Sequence, residues 1–165
     1  MYKTRPFLYM MVGVPCSGKS TWIEKNKHIF RPNYALIGTD HTIDAWAKMQ
    51  EKTYDECFHM MIDAATKLMN ETLREAIHYK KDIVWDQTNT STKTRKNKIK
   101  SIPEEYYKIA VFFNTPKNDI LSDRLNSRPG KTIPGHVMKN MMENLEMPTL
   151  DEGFDTIVNT NPIFY

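Results

Sequence analysis

A chain of 165 residues, 40% hydrophobic and 26% charged, has the composition of a single soluble globular domain that can bury a core without staples. Two cysteines exclude a disulfide framework, and a formal net charge of +3 permits a polyanionic partner without requiring one. No apolar run nears the ~20 residues of a membrane span, and the apolar stretch after Lys3 and Arg5 leads into a glycine loop rather than a cleavage site; no membrane is expected, and a reducing cytoplasm suits both thiols.

Phe7 to Val12 is an unbroken apolar run, as a strand buried on both faces requires. Gly13-Val14-Pro15-Cys16-Ser17-Gly18-Lys19-Ser20-Thr21 follows it and fits the phosphate-loop spacing, with a helix able to continue through Trp22 and Ile23. Gly13 and Gly18 permit backbone angles that let amide groups crowd a phosphate. Lys19 supplies a mobile cation, and the Ser20 hydroxyl takes one place around Mg²⁺. Strand, loop and helix together make Gly13, Pro15, Cys16, Ser17, Gly18, Lys19, Ser20 and Thr21 a site for a nucleoside triphosphate. Cys16 reads either as a redox-sensitive thiol or as a tolerated small side chain.

Tyr34 to Gly38 predicts a second strand, and Ile43 to Gln50 a short helix. The capping-box pattern Thr53-Tyr54-Asp55-Glu56 opens a long helix to about Tyr79. Its apolar positions Cys57, Met60, Met61, Ala64, Ala65, Leu68, Leu73 and Ile77 predict one core-facing side, with the methionines as filler. Ile83 to Trp85 is a third strand, followed by a polar turn and a basic helix over about 91–101. Tyr107 to Phe113 is a fourth strand. Pro116, at a first helical position, opens a helix to about Ser127. Arg128-Pro129-Gly130-Lys131 breaks it, a further helix spans about 135–145, and Asp155 to Val158 is a fifth strand before a short tail. Alternating strands and helices predict an α/β layer fold with a parallel sheet, whose ligands sit beyond the carboxyl ends of the strands.

Asp40 follows the second strand and reads in two ways, as a base that takes a proton from an attacking hydroxyl or as the cap of a short helix. Asp44 reads as a weaker candidate for the same role or as a surface residue. Asp86 ends the third strand where a phosphate-loop protein places the aspartate that holds its metal through water. Gln87 follows it in place of an acid, which points away from hydrolysis and toward transfer to another acceptor. Thr88 and Asn89 are either substrate contacts or a polar turn. Arg124 and Arg128 share a helix face before the Pro-Gly break, as arginines of a mobile lid over ATP would; a solvated face is the alternative. Lys93, Arg95, Lys96, Lys98 and Lys100 make either a solvated face or a nucleic-acid track, with Arg95 as the candidate substrate contact. The histidines show no ligand spacing.

Together, Gly13 to Thr21, Asp40, Asp86-x-Thr88-Asn89 and Arg124-Leu-Asn-Ser-Arg128 with Ile133-Pro134 resemble the kinase domain of bacteriophage-type polynucleotide kinases. The likeness covers nearly the whole chain, including Pro148 to Asp155. It implies a phosphate-loop kinase fold: a three-layer sandwich whose parallel five-stranded sheet has the order 2-3-1-4-5, in a single domain over 1–165 with a helical lid over about 115–135. It implies transfer of the ATP γ-phosphate to the 5′-hydroxyl ends of DNA or RNA, as in nucleic acid repair. In that scheme Asp40 is general base, Lys19 and Ser20 serve phosphates and Mg²⁺, and Arg124 and Arg128 close over ATP. Host cytoplasm is the implied location if the chain is phage-encoded.

The chain departs from the resemblance at Ile43, where such kinases often carry an arginine for a substrate phosphate; Arg95 or Lys48 is the available replacement. The phosphatase domain often fused behind such kinases is expected to be absent. Two other functions stay open: a small-molecule kinase acting on a nucleoside, sugar or sugar nucleotide, and a nucleotide switch or ATPase. Gln87 and the lack of an Asn-Lys-x-Asp element stand against the last.

Overall fold

The computed structural model describes residues 5–160; Lys3 and the tail expected after the last strand lie outside them. Five parallel strands form one sheet: β1 (Phe7–Val12), β2 (Ala35–Ile37), β3 (Ile83–Trp85), β4 (Tyr107–Phe113) and β5 (Thr156–Thr160), in the order β2-β3-β1-β4-β5. The doubly wound order implied by the resemblance is therefore the observed one. Central β1 pairs Leu8 to Met10 with Ile83 to Trp85 on one side and Phe7 to Val12 with Tyr107 to Phe112 on the other.

Strand alternation builds two cores from one sheet. Leu8, Met10 and Val12 face α3 (Tyr54–His78) and α4 (Thr92–Ile99), meeting Leu73, Ala76 and Ile99. Tyr9 and Met11 point the other way, onto Ile23 of α1 (Lys19–Lys25) and Phe30. An apolar residue at every position of β1 is what a strand covered on both faces needs. At the sheet's carboxyl edge, α5 (Asn118–Asn126) and α6 (Gly135–Glu143) pack Leu121 and Met138 around Val14 of the glycine loop.

The capping box at Thr53 forms as the sequence predicts: the Thr53 hydroxyl accepts the Glu56 amide at 3.3 Å, and the Thr53 amide donates to Glu56 at 2.7 Å. The core-facing side of α3 is narrower than predicted. Cys57, Ala65, Leu73 and Ala76 are buried, whereas Ala64 is exposed and Met60 and Leu68 are 62% and 49% exposed. Helical spacing reports which residues share a side, not how much of that side a partner covers. The N-terminal half of α3 buries its apolar side against α2 (Asp40–Met49), through Ile43 and Ala47.

Three boundaries also move. The helix predicted from Ile43 starts at Asp40, so Thr39 holds the cap position, without a side-chain capping bond. Pro116 precedes α5 instead of opening it, with Lys117 at the cap. The last strand runs two residues further than predicted, to Thr160.

Candidate functional site

The glycine loop joins β1 to α1, and its shape follows from close approaches no other residue tolerates. A Cβ on Gly13 would lie 2.7 Å from Ser17 Oγ and 2.9 Å from Phe113 Cβ. The Gly13 amide donates to the Thr88 carbonyl at 2.9 Å, tying the loop to the turn after β3. Gly18 has φ 104°, and Cys16 sits at φ 60°, a left-handed angle costly for a residue with a side chain. Ser17 Oγ is buried in the loop and has no hydrogen-bond partner among the described residues. An orphan hydroxyl in a glycine loop just ahead of α1 is what a phosphate oxygen would satisfy, so these residues fit a triphosphate.

Lys19 is buried, and its ammonium donates to the carbonyls of Gly13 (2.9 Å) and Val14 (2.7 Å). Burial lowers its pKa to about 8, further lowered by Arg128, against the opposing pull of Asp86, Cys16 and Asp40. The consequence for binding has a definite sign: a triphosphate needs the protonated amine, so affinity is lost as pH rises past the free protein's value. ATP affinity should change little from about pH 7 to 8 and then fall by up to tenfold per pH unit. Isothermal titrations of ATP up to about pH 10 check this; a flat profile would free Lys19 from the phosphates.

Asp86 ends β3, its amide bonded to the Ile37 carbonyl at 2.7 Å. Burial raises its carboxyl pKa, with Asp40 adding to the rise and Lys19, His41 and Lys131 opposing it. Lys19, Asp40 and Asp86 thus act on one another's charge, as the two strand ends beside the loop require. A cation held by Ser20 and, through water, Asp86 would favour the ionised carboxylate.

Asp40 is the first residue of α2, and its side chain does not cap its own helix. Oδ1 accepts the Tyr54 hydroxyl at 2.9 Å and Oδ2 lies 3.2 Å from Lys131 Nζ. Lys131 also meets Asp44 at 2.7 Å and stands 4.0 Å over the Tyr54 ring. Burial, then the Asp40 charge, pushes the Tyr54 phenol well above its usual range, so it stays a donor. Asp44, exposed as predicted, also joins this cluster. Tyr54 and Lys131 carry no motif; the docking of the 128–132 segment brings them in. The Gly130 carbonyl accepts the Asp55 amide at 2.9 Å, and the Thr132 amide donates to the Asp55 carboxylate at 2.9 and 3.0 Å.

Arg124 of α5 and Arg128, two residues past the end of that helix, both reach the glycine loop; α5 stops at Asn126, so the two do not share a helix face as the sequence predicts. Arg124 Nη1 donates to the Cys16 carbonyl at 3.0 Å, and Arg128 Nη1 lies 3.3 Å from Cys16 Sγ. Between them, the loop and the β4–α5 connection lies a cavity of ≈ 770 Å³, lined by Trp22, Phe113 and Lys117 among others. Its size is that of a nucleotide pocket.

Two expected substrate contacts are overturned. Arg95 is fully buried: Nε and Nη2 pair with Glu152 at 2.7 and 2.8 Å, and Nη1 donates to the carbonyls of Asn89, Thr90 and Glu146 at 2.8–3.0 Å. A guanidinium with every nitrogen engaged inside the protein has nothing left for nucleic acid. Asn89 is buried too, bonding the Met11 carbonyl at 2.8 Å while accepting from Lys98. Thr88 stays partly exposed beside the loop; Lys93, Lys96 and Lys100 are exposed on α4. The Gln87 amide oxygen is taken by Trp85 Nε1 at 2.9 Å and Lys98 Nζ at 2.6 Å.

Comparison with known proteins gives a consistent frame. The model of the AAA_33 family, described as an AAA domain, matches residues 8–148. The chain is 26% identical to the L-seryl-tRNA(Sec) kinase of Methanococcus maripaludis over 96% of its own length and 61% of the relative's. It therefore spans less than two thirds of that protein. A chain of the Pnkp1/Rnl/Hen1 RNA repair complex superposes with TM-score 0.63 at 21% identity, over 86% of this chain and 44% of that one. A gluconokinase from Sinorhizobium meliloti 1021 superposes with TM-score 0.56 at 17% identity, over 99% of this chain and 86% of that one.

Proposed function

The chain belongs to the AAA_33 family, a phosphate-loop kinase family, and from that premise we propose that it is a polynucleotide 5′-hydroxyl kinase. It would transfer the γ-phosphate of ATP to the 5′-hydroxyl end of DNA or RNA. The observation that carries the reading is Asp40. Its carboxylate is fixed by Tyr54 on one oxygen and Lys131 on the other, and it lies within electrostatic reach of Lys19 and Asp86. A base held at the carboxyl edge, beside the loop that carries the triphosphate, is what an alcohol acceptor needs.

In this scheme Lys19 leaves the Gly13 and Val14 carbonyls for the outer phosphates. Arg124 and Arg128 exchange Cys16 for the transferring phosphoryl oxygens, where fixed charge counts most because the transition state is loose. Asp40 orients the hydroxyl and accepts its proton. Mg²⁺, held by Ser20 and by Asp86 through water, supplies neutralising charge when bound. Gln87, tied to Trp85 and Lys98, is not placed to prepare a water. Among the described residues no helix is long and apolar enough to cross a membrane.

The named relatives span nucleic acid and sugar acceptors, and buried Ile43 favours a second reading, a small-molecule kinase. Incubation with labelled ATP and, in turn, 5′-hydroxyl oligonucleotides, nucleosides, sugars and no acceptor separates them. Labelled oligonucleotide is the expected result. Label on a small molecule alone supports the second reading, and free phosphate alone removes both.

A further inference from the structure

Besides Arg95, α4 turns a second cation inward, and the transfer scheme gives it no task. The half-buried Lys98 meets the turn after β3, where its ammonium donates to the side-chain oxygens of Gln87 at 2.6 Å and Asn89 at 2.5 Å. The same ammonium stands 4.8 Å from the centre of the Trp85 ring. All three partners are neutral, and among the described residues no carboxylate pairs with Lys98. Burial lowers its pKa to about 8, as befits an ammonium taken out of water without a counter-ion. Such a group subtracts from stability, whereas a methionine of similar length fills the same space without desolvating a charge. Arg95, three residues earlier, is the contrast, because Glu152 neutralises it.

What Lys98 holds is the turn. Gln87 and Asn89 flank Thr88, whose carbonyl takes the Gly13 amide at 2.9 Å, and Asp86 stands directly before Gln87. Asn89 sits at φ 47°, a left-handed angle that its surroundings must maintain. Its amide nitrogen donates to the carbonyls of Met11 at 2.8 Å and Gln87 at 3.2 Å, and its amide oxygen is the atom that Lys98 binds. Trp85 Nε1 fixes the Gln87 oxygen from the other side at 2.9 Å. Without Lys98 the Asn89 oxygen loses its donor, and the turn can relax toward commoner angles, shifting Asp86 against the glycine loop. The groups that weigh most on the charges of Lys19 and Asp86 are others, so Lys98 acts through the turn rather than through its field. We propose that Lys98 is a positioning residue for phosphoryl transfer, a lock on the 86–89 turn that keeps Asp86 in register with the phosphate loop and is retained against the interest of stability. The inference rests on Asp86 and the loop serving that transfer.

The test compares Lys98→Met and Lys98→Arg with the unaltered protein, using labelled ATP and whichever acceptor the unaltered protein labels. Lys98→Met should lower kcat by about 10–100-fold, the effect of displacing reacting groups by about an ångström. KM for ATP should stay within about threefold, because Lys19 and the loop amides are untouched. The melting temperature at neutral pH should fall by no more than about 2–4 °C, since relief of the desolvated charge offsets the acceptor left on Asn89. Lys98→Arg, which can donate to both oxygens, should recover most of the rate. A normal kcat in Lys98→Met, a loss carried by KM for ATP alone, or a lowered kcat that comes with a larger fall in melting temperature overturns the role and leaves the kinase reading in place. An arginine variant no faster than the methionine variant also overturns it. If the unaltered protein binds ATP but labels no acceptor, the transfer reading falls and this role falls with it.

Discussion

Arg128→Ala should lower the single-turnover rate of phosphoryl transfer by about 10³–10⁵-fold, the range for a guanidinium that stabilises charge on a transferring phosphoryl group. Asp40→Ala should cost about 10²–10⁴-fold, the worth of a positioned base. The ranking follows from the chemistry: a loose transition state gathers charge on the equatorial oxygens before the acceptor loses its proton, so the clamp outweighs the base. The structure puts Arg128 within one hydrogen bond of the loop, 3.3 Å from Cys16 Sγ, and Arg124 at the Cys16 carbonyl beside it. Because Arg128 is half-buried in the loop after α5, its loss should leave the fold intact, which circular dichroism can verify. A variant that transfers phosphate at nearly the normal rate would remove Arg128 from the reaction.

The second large effect is on stability. The Arg95–Glu152 pair is fully buried on both sides, and removing one partner strands the other as an uncompensated charge. Such a loss costs about 3–5 kcal/mol. At roughly 2–4 °C per kcal/mol for a domain of this size, Glu152→Gln should lower the melting temperature by about 6–20 °C. Charge reversal at Arg95 should be worse, because it places two carboxylates in one apolar site and abandons three carbonyls. From the sequence, the same change is expected to weaken oligonucleotide use alone. Replacing both partners with apolar residues, Arg95→Met with Glu152→Leu, should recover only part of the loss, because three carbonyls and the Thr149 amide still lose their partners. If Glu152→Gln melts within a degree or so of the unaltered protein, the pair is not holding α4 to the segment before β5.

What was legible in the sequence were the features with a short-range cause. The apolar run Phe7 to Val12 could only be a strand covered on both faces, and the glycine loop's spacing dictates its position between β1 and α1. Thr53 and Glu56 announce the start of α3 within four residues. The resemblance supplied the strand order. Arg95 was misread because its partner Glu152 is 57 residues away; in the chain it stands among lysines and shares their apparent purpose. Asn89 was misread for a related reason, since the Met11 carbonyl it bonds lies across the sheet. The Tyr54–Asp40–Lys131 cluster was invisible because three segments far apart in the chain meet there, and the pattern of each reports only its own local structure.

Arg128 and Lys131 are three residues apart, yet the first touches the loop that would hold the nucleotide and the second touches the carboxylate that would meet the acceptor. A Cβ on Gly130, between them at φ 73°, would come within 2.5 Å of Thr53, so this short bridge has little slack. Anything that draws Arg128 off the thiol also pulls on Lys131. The two substrates are then not independent guests: whatever factor one gains from the other's presence must be returned in equal measure, and neither can be assigned a single intrinsic affinity.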